Sequence, residues 1–147
     1  MKSTKPEALR VLDVNLRPPF VDEDVIDCSI DLAGIVKYNR DEAATLSEIF
    51  AADDLPSWLI EQRGVMFVLE TRGSDGCAVY SAEEAIEVPG LSVDTSEGDA
   101  VGVGDAFTAA IVHELLRGAT ATHAAKFANR YAAIVAKKRG GMPGMSG

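Results

Sequence analysis

The feature that most constrains the fold is a regular alternation of strand-like and helix-like stretches along the chain. Short apolar runs with strand character are separated by longer stretches whose apolar residues recur at helical spacing. Such alternation is typical of an α/β sheet with helices layered against it, so we expect one α/β domain. The predicted strands are 8–14, 34–38, 65–69, 77–80 and 85–88, the last two as a hairpin, and the predicted helices are 25–33, 41–51, 55–63, 103–117 and 122–138, with a breaker-rich tail over 140–147.

Composition argues against several classes of protein. A chain of 147 residues with 47% hydrophobic and 25% charged residues can bury one ordinary core and is not disordered. Its formal net charge of -9 argues against binding to nucleic acid or to an anionic membrane surface. No apolar run could span a bilayer, the N-terminus lacks the apolar core of a secretory signal, and the cysteines lack metal or redox spacing. We therefore expect a cytoplasmic protein with buried free thiols at Cys28 and Cys77.

Polar residues follow three of the predicted strands. In α/β sheets, ligands bind at the carboxyl ends of the strands, so these residues mark a candidate site. Each group also has a purely structural explanation: a solvated strand end, a capping box between an Asn and a Glu, or a hairpin connection. The three groups are Asp13, Asn15 and Arg17; Asn39 and Glu42; and Thr71, Arg72 and Gly73.

A glycine-rich turn lies at the start of the fourth predicted helix. The residues Gly102, Val103 and Gly104 are followed at once by Asp105. Backbone N–H groups at such a helix start have no partner within the helix and favour an anion. An aspartate beside an anion would accept a proton from a substrate hydroxyl during phosphoryl transfer. Alternatively, Asp105 only caps the helix or complements its dipole.

Taken in order, these motifs resemble the C-terminal half of a PfkB-type carbohydrate kinase of the ribokinase-like superfamily. The fructokinase and 2-keto-3-deoxygluconate kinase branch is the most similar. The resemblance implies a layered α/β/α fold whose N-terminal strands and lid are absent from the chain. It rests on the signature-like stretch 99–107, the Asp-x-Asn-x-Arg stretch 13–17, the Asn-x-x-Glu motif 39–42, the turn 71–76, and the connecting segments 88–90 and 140–143.

The resemblance implies a role for each matching position. Asp105 would be the general base, and the N–H groups of Gly102, Val103 and Gly104 would form the anion hole. Asn39 and Glu42 would hold Mg²⁺ through water. The ATP or its phosphates would contact Asn15, Arg17, Asn39, Thr71, Arg72, Gly73 and Asn129.

The chain departs from the family pattern before the glycine turn. The Asp-Thr pair of the signature is represented by Asp99-Ala100 or, with an insertion, by Asp94-Thr95. Ala100 lacks a hydroxyl, which weakens the case for a monovalent cation at this loop. Val103 replaces the usual alanine and adds bulk beside the phosphate path.

The resemblance covers only the half that holds the nucleotide-side motifs. The expected substrates are ATP and a small sugar or sugar acid, and the expected open sheet edge favours self-association or a partner chain that supplies the other half. Two alternatives stay open: a non-catalytic remnant or subunit, and a nucleotide-binding regulatory module. A third is a generic α/β fold in which the motifs do not converge.

Overall fold

The computed structural model describes residues 10–19, 21–72, 75–89 and 100–141, with the backbone alone for 100–105 and 136–141. Strands and helices alternate along these residues, as the sequence predicts. The strands are β1 (Val11–Asp13), β2 (Ile35–Asn39), β3 (Phe67–Thr71), β4 (Cys77–Tyr80) and β5 (Ala85–Val88), and the helices are α1 (Glu23–Leu32), α2 (Arg40–Phe50), α3 (Leu55–Arg63), α4 (Ala100–Leu116) and α5 (Ala121–Gly141).

The strands form one mixed sheet in the order β1-β2-β3-β4-β5. The first three are parallel, because each is joined to the next through helices that return the chain to the same edge. The last two pairings are antiparallel, and β4 and β5 form the predicted hairpin. The predicted α/β class is therefore confirmed, and β1 lies at one end of the described sheet.

Alternate side chains of the strands build two cores on opposite faces of the sheet. One face packs under α4 and α5 and the other under α1, α2 and α3, and we call them the α4–α5 face and the α1–α3 face. Each buried aliphatic side chain contributes roughly 1.5–3 kcal/mol to stability. The α4–α5 face buries Ile35, Leu69, Cys77, Val79 and Val88, and the α1–α3 face buries Val36, Tyr38 and Val68.

Helix α3 has the predicted bounds because signals at both ends agree. The side chain of Asp54 accepts from the N–H of Ser57, and Pro56 occupies the first turn, where its missing N–H costs nothing. Gly64 ends the helix in a left-handed conformation with φ of 75°.

Strand β3 begins two residues later than predicted. Val65 is buried, but its N–H donates to the carbonyl of Leu59 at 3.1 Å and so closes the end of α3. The ladder begins only where the N–H groups of Met66 and Phe67 reach the carbonyl of Gly34. An apolar pattern cannot separate a buried helix end from a buried strand.

Two further boundaries differ at the end of the chain. Helix α4 begins at Ala100 and not near Val103, and α5 continues to Gly141, beyond the start of the predicted tail. The rest of that tail, 142–147, lies outside the described residues, as do 8 and 9 of the first predicted strand. No helix in the described part of the chain is both long enough and apolar enough to cross a membrane.

The two cysteines differ in environment, which corrects the expectation that both are buried. Both are free thiols, but Cys28 is exposed on α1, whereas Cys77 is buried on β4. Burial raises the pKa of the Cys77 thiol to about 12. Because the thiolate is the reactive form, Cys77 is protected both sterically and chemically.

We expect one of the two thiols to react with an aromatic disulfide reagent in the folded protein at about pH 8. Both should react after denaturation, because unfolding exposes Cys77. A Cys28→Ser variant should show no reactive thiol until it unfolds. Two thiols reacting in the native wild type would contradict this prediction.

Candidate active site

The ends of the parallel strands bring several of the expected site residues to one edge of the sheet. We call this edge, formed by the last residues of β1, β2 and β3 and the residues that follow them, the carboxyl rim. Asn39 and Thr71 are direct register partners there. Both lie on the α4–α5 face. Asp13 and Lys37 are register partners on the same face, and Lys37 Nζ forms an ion pair with Asp13 Oδ2 at 3.3 Å. The rim therefore presents polar groups on the face that α4 and α5 cover.

Asn39 and Glu42 form a reciprocal capping box at the start of α2. The Asn39 side chain accepts from the N–H of Glu42 at 2.8 Å, and Glu42 Oε1 accepts from the N–H of Asn39 at 2.9 Å. The structural interpretation of this motif is thus confirmed. Asn39 is nonetheless exposed, so its amide can still face a ligand.

The segment after β1 crosses the rim in an irregular conformation. Asn15 adopts a left-handed backbone with φ of 49°, which asparagine tolerates better than most residues. The next N–H group, that of Leu16, donates to Glu42 Oε2 at 2.8 Å. Asn15 and Arg17 are both exposed, and within the described residues neither side chain makes a hydrogen bond or an ion pair.

The Arg72 side chain lies on the other face of the sheet from Thr71. Its Nε donates to Glu70 Oε1 at 2.8 Å, its Nη2 to the Tyr80 hydroxyl at 3.3 Å, and its Nη1 is 3.5 Å from Glu87 Oε2. This placement differs from the expected contact with ATP, because Arg72 continues the alternation that puts Glu70 on the α1–α3 face. Only the backbone of Arg72 is left to border a nucleotide beside Thr71, and Gly73 lies outside the described residues.

Helix α4 ends at the edge of the sheet opposite the carboxyl rim. Helix α5 begins at that same edge, where the Thr122 hydroxyl donates to Glu84 Oε1 at 2.9 Å in the β4–β5 turn. Gly118, with φ of 94°, joins the end of α4 to the start of α5, so α4 runs toward that edge and its first turn lies at the far end of the helix.

The glycines of the expected anion hole lie within α4 and not before it. Gly102 and Val103 fall in the first turn, and Gly104 follows it. The N–H groups without a partner in a helix are those of its first turn. In α4 these N–H groups lie closer to Ala100 than a helix beginning near Val103 would put them. The side chain of Asp105 lies outside what the structure describes.

Asn129 lies on α5 with its side-chain oxygen buried and without a hydrogen-bond partner among the described residues. A buried acceptor without a partner is uncommon in folded proteins and calls for an explanation. The Tyr38 hydroxyl is the other such atom in the described part of the chain, and burial raises the pKa of Tyr38 above its usual value.

Two contacts at this end of the sheet were missed at the sequence level. The contact between Glu70 and Arg72 has a local signal, since side chains two apart in an extended segment share a face. The contact between Glu42 and Leu16 has none, because 26 residues separate them. Within the described residues, no group of three or more His, Cys, Asp or Glu is arranged to hold a metal ion.

A comparison with family models shows where this arrangement belongs. The model of the pfkB family of carbohydrate kinases matches residues 1–146. The chain belongs to the pfkB carbohydrate kinase family. This match confirms the family that the motifs indicate.

Individual members of the pfkB family match with moderate identity. A candidate sugar kinase of Pyrococcus horikoshii is 33% identical over 148 residues, which covers 95% of this chain and 44% of that protein. Fructokinase-2 of Oryza sativa subsp. japonica is 29% identical over 120 residues, covering 77% of this chain and 35% of the relative. The chain thus spans less than half the length of these relatives.

Solved structures show the same fold. The nucleoside kinase of Methanocaldococcus jannaschii, a member of the ribokinase family, superposes with a TM-score of 0.66 at 21% identity, over 88% of this chain and 42% of that one. The aminoimidazole riboside kinase of Salmonella enterica, in complex with aminoimidazole riboside and an ATP analogue, gives 0.63 at 27% identity, over 86% and 45%. The described sheet and helices therefore form part of a ribokinase-like α/β fold.

Proposed function

We propose that this chain forms the nucleotide side of an ATP-dependent kinase that phosphorylates a hydroxyl of a sugar or sugar acid. The single observation that carries the proposal is the position of the 102–105 motif. Its glycines begin in the first turn of α4, and α4 ends at the edge of the sheet opposite the rim, so the proposal puts this turn on the side of Asn39 and Thr71. Such a helix start can bind an anion, and a pfkB kinase must hold a phosphoryl group.

In the proposed reaction, the first turn of α4 stabilises charge on the transferred phosphoryl group. Asp105, with its carboxylate, acts as general base toward the sugar hydroxyl. Because phosphoryl transfer depends mainly on positioning and charge stabilisation, few protein groups are needed beyond these.

The proposed magnesium site uses oxygen groups at the start of α2. Asn39 and Glu42 present an amide and a carboxylate, which are ligand types that Mg²⁺ accepts directly or through water. Both Glu42 oxygens already accept backbone N–H groups, so contact through water fits better than direct coordination. Bound Mg²⁺ would neutralise charge on the ATP phosphates.

The proposed ATP contacts come from both sides of the rim. Arg17 is an exposed cation beside Asn15, and it is suited to phosphate. The buried oxygen of Asn129 can accept a hydrogen bond from the amino group of adenine, which would satisfy an acceptor that has no described partner. The backbone of 71–73 would border the nucleotide. We propose that the reaction takes place in the cytoplasm.

A second candidate is a subunit that binds ATP but needs another chain for the sugar. It is favoured by β1, which pairs on one side only within the described sheet, and by Val11, which is 41% exposed there. An open strand edge with apolar surface favours association. A nucleotide-binding regulatory module predicts the same binding without transfer.

Isothermal titration with MgATP tests the proposed site. The wild type should bind, Gly102→Asp should lose binding because a carboxylate would occupy the anion position, and Asp105→Asn should keep binding while losing any transfer. The matched control is Ala109→Asp, which adds the same charge at an exposed position of α4. A folded wild type that does not bind, or a loss in Ala109→Asp equal to that in Gly102→Asp, would reject the site.

A further inference from the structure

We infer that Glu42 acts as a positioning residue that holds the segment after β1 against the start of α2, and so sets the spacing of the nucleotide site. The inference rests on the proposed function, in which Arg17 contacts the ATP phosphates and Asn39 holds the Mg²⁺ bound to them. It assigns Glu42 a task different from metal ligation. The contacts of its carboxylate with Leu16 and Asn39 are called the Glu42 bridge.

The geometry of the Glu42 bridge uses both carboxylate oxygens. Oε2 accepts from the N–H of Leu16 at 2.8 Å and Oε1 from the N–H of Asn39 at 2.9 Å. Hydrogen bonds to a charged acceptor are stronger than neutral ones. A metal ion bound directly by this carboxylate would compete with these two hydrogen bonds. The main task of the Glu42 carboxylate is therefore to join two backbone segments.

The bridge fixes the positions of the residues beside it. The left-handed turn at Asn15 immediately precedes Leu16, and Arg17 immediately follows it, so the bond to Leu16 sets where both side chains leave the rim. The other bond holds Asn39, which is the register partner of Thr71. Glu42 therefore couples the groups after β1 to those after β2 and β3.

Amide hydrogen exchange in the Glu42→Gln variant tests the bridge itself. A glutamine offers one acceptor oxygen and one NH₂ group, so one of the two N–H groups would face a donor. We expect exchange at Leu16 or Asn39 to become about tenfold faster or more, since a bond to a charged group is lost. Unchanged exchange at both residues would overturn the inference.

The Glu42→Asp variant separates reach from charge. Aspartate keeps the charge but is one methylene shorter, so it cannot reach both donors. If the bridge matters, Glu42→Asp should show the same faster exchange as Glu42→Gln. Wild-type exchange in Glu42→Asp would show that charge alone suffices and would overturn the inference.

Nucleotide titrations separate positioning from metal ligation and from a merely structural role. We expect Glu42→Gln to weaken the binding of metal-free ATP by about tenfold and that of MgATP by at least as much, because both forms need the spacing that the bridge sets. A loss confined to MgATP would identify Glu42 as a metal ligand. A lower Tm with unchanged affinity would show a structural role only. Either result would overturn the inference.

Thr120→Ala provides the matched control. In the wild type, the Thr120 hydroxyl accepts from the N–H of His123 at 3.2 Å in the first turn of α5, at the edge opposite the rim. This variant should lose stability through a weakened helix start without changing ATP affinity. A wild type that binds no ATP would reject the proposed function, whereas a binding wild type whose Glu42→Gln variant binds equally well would reject this inference alone.

Discussion

Replacing Arg72 with methionine is expected to lower the free energy of unfolding by about 3 kcal/mol. The side chains of Glu70 and Arg72 are only 15% and 20% exposed, and Arg72 also donates to the Tyr80 hydroxyl. Removing the cation leaves the Glu70 carboxylate largely buried without its partner, which costs more than the pair contributes. Urea denaturation of the variant and the wild type measures the difference.

The double variant Glu70→Leu with Arg72→Met is the control for this prediction. Because replacing both members of a buried ion pair by apolar groups is often neutral, the double variant should recover most of the lost stability. The single variant Glu70→Leu completes the comparison. If the losses of stability in Glu70→Leu and Arg72→Met add up to the loss in the double variant, the two side chains act independently. A loss below about 1 kcal/mol in Arg72→Met would show that solvent screens the pair.

The second large effect is expected at Arg63, whose replacement by alanine should cost about 2 kcal/mol of stability. Its guanidinium bonds to Asp27 and Asp31 of α1 and lies 5.9 Å from the ring of Phe50 and 5.2 Å from that of Trp58. The side chain is 14% exposed and joins three helices, whereas the aspartates are more than half exposed, which limits the ionic contribution. Thermal and urea unfolding measure the change.

Lysine at position 63 tests whether charge alone is sufficient. Lysine keeps the charge but lacks the planar group that stacks on aromatic rings and binds two carboxylates at once. Arg63→Lys should therefore recover less than half of the lost stability. Full recovery would show that the stacking on Phe50 and Trp58 contributes little.

The fold was predictable where local signals agreed with each other. The bounds of α3 follow from Asp54, Pro56 and Gly64, which act within one turn of the helix ends. The start of β3 was not predictable, because an apolar residue such as Val65 fits the buried end of a helix as well as it fits a strand. Boundaries decided by tertiary hydrogen bonds cannot be read from periodicity.

The candidate site was predictable in its motifs but not in the direction of its side chains. The capping box of Asn39 and Glu42 follows from residue types three apart, whereas the bond from Leu16 to Glu42 depends on how β1 and α2 are brought together. The expected contact of Arg72 with ATP follows from the resemblance of the turn 71–76 to that of the family, which carries no information on side-chain direction. Period-2 alternation puts the side chains of Thr71 and Arg72 on opposite faces, and Glu70 then captures the guanidinium.

Strand β1 makes the sheet extendable at one end. Its three residues bond to β2 through one edge, and the other edge has no strand beside it in the described sheet. A peptide that runs alongside would continue the ladder and bury Val11 with little change to the existing strands. We therefore expect that a second polypeptide able to form a strand would extend the sheet at this edge, with β1 as its template.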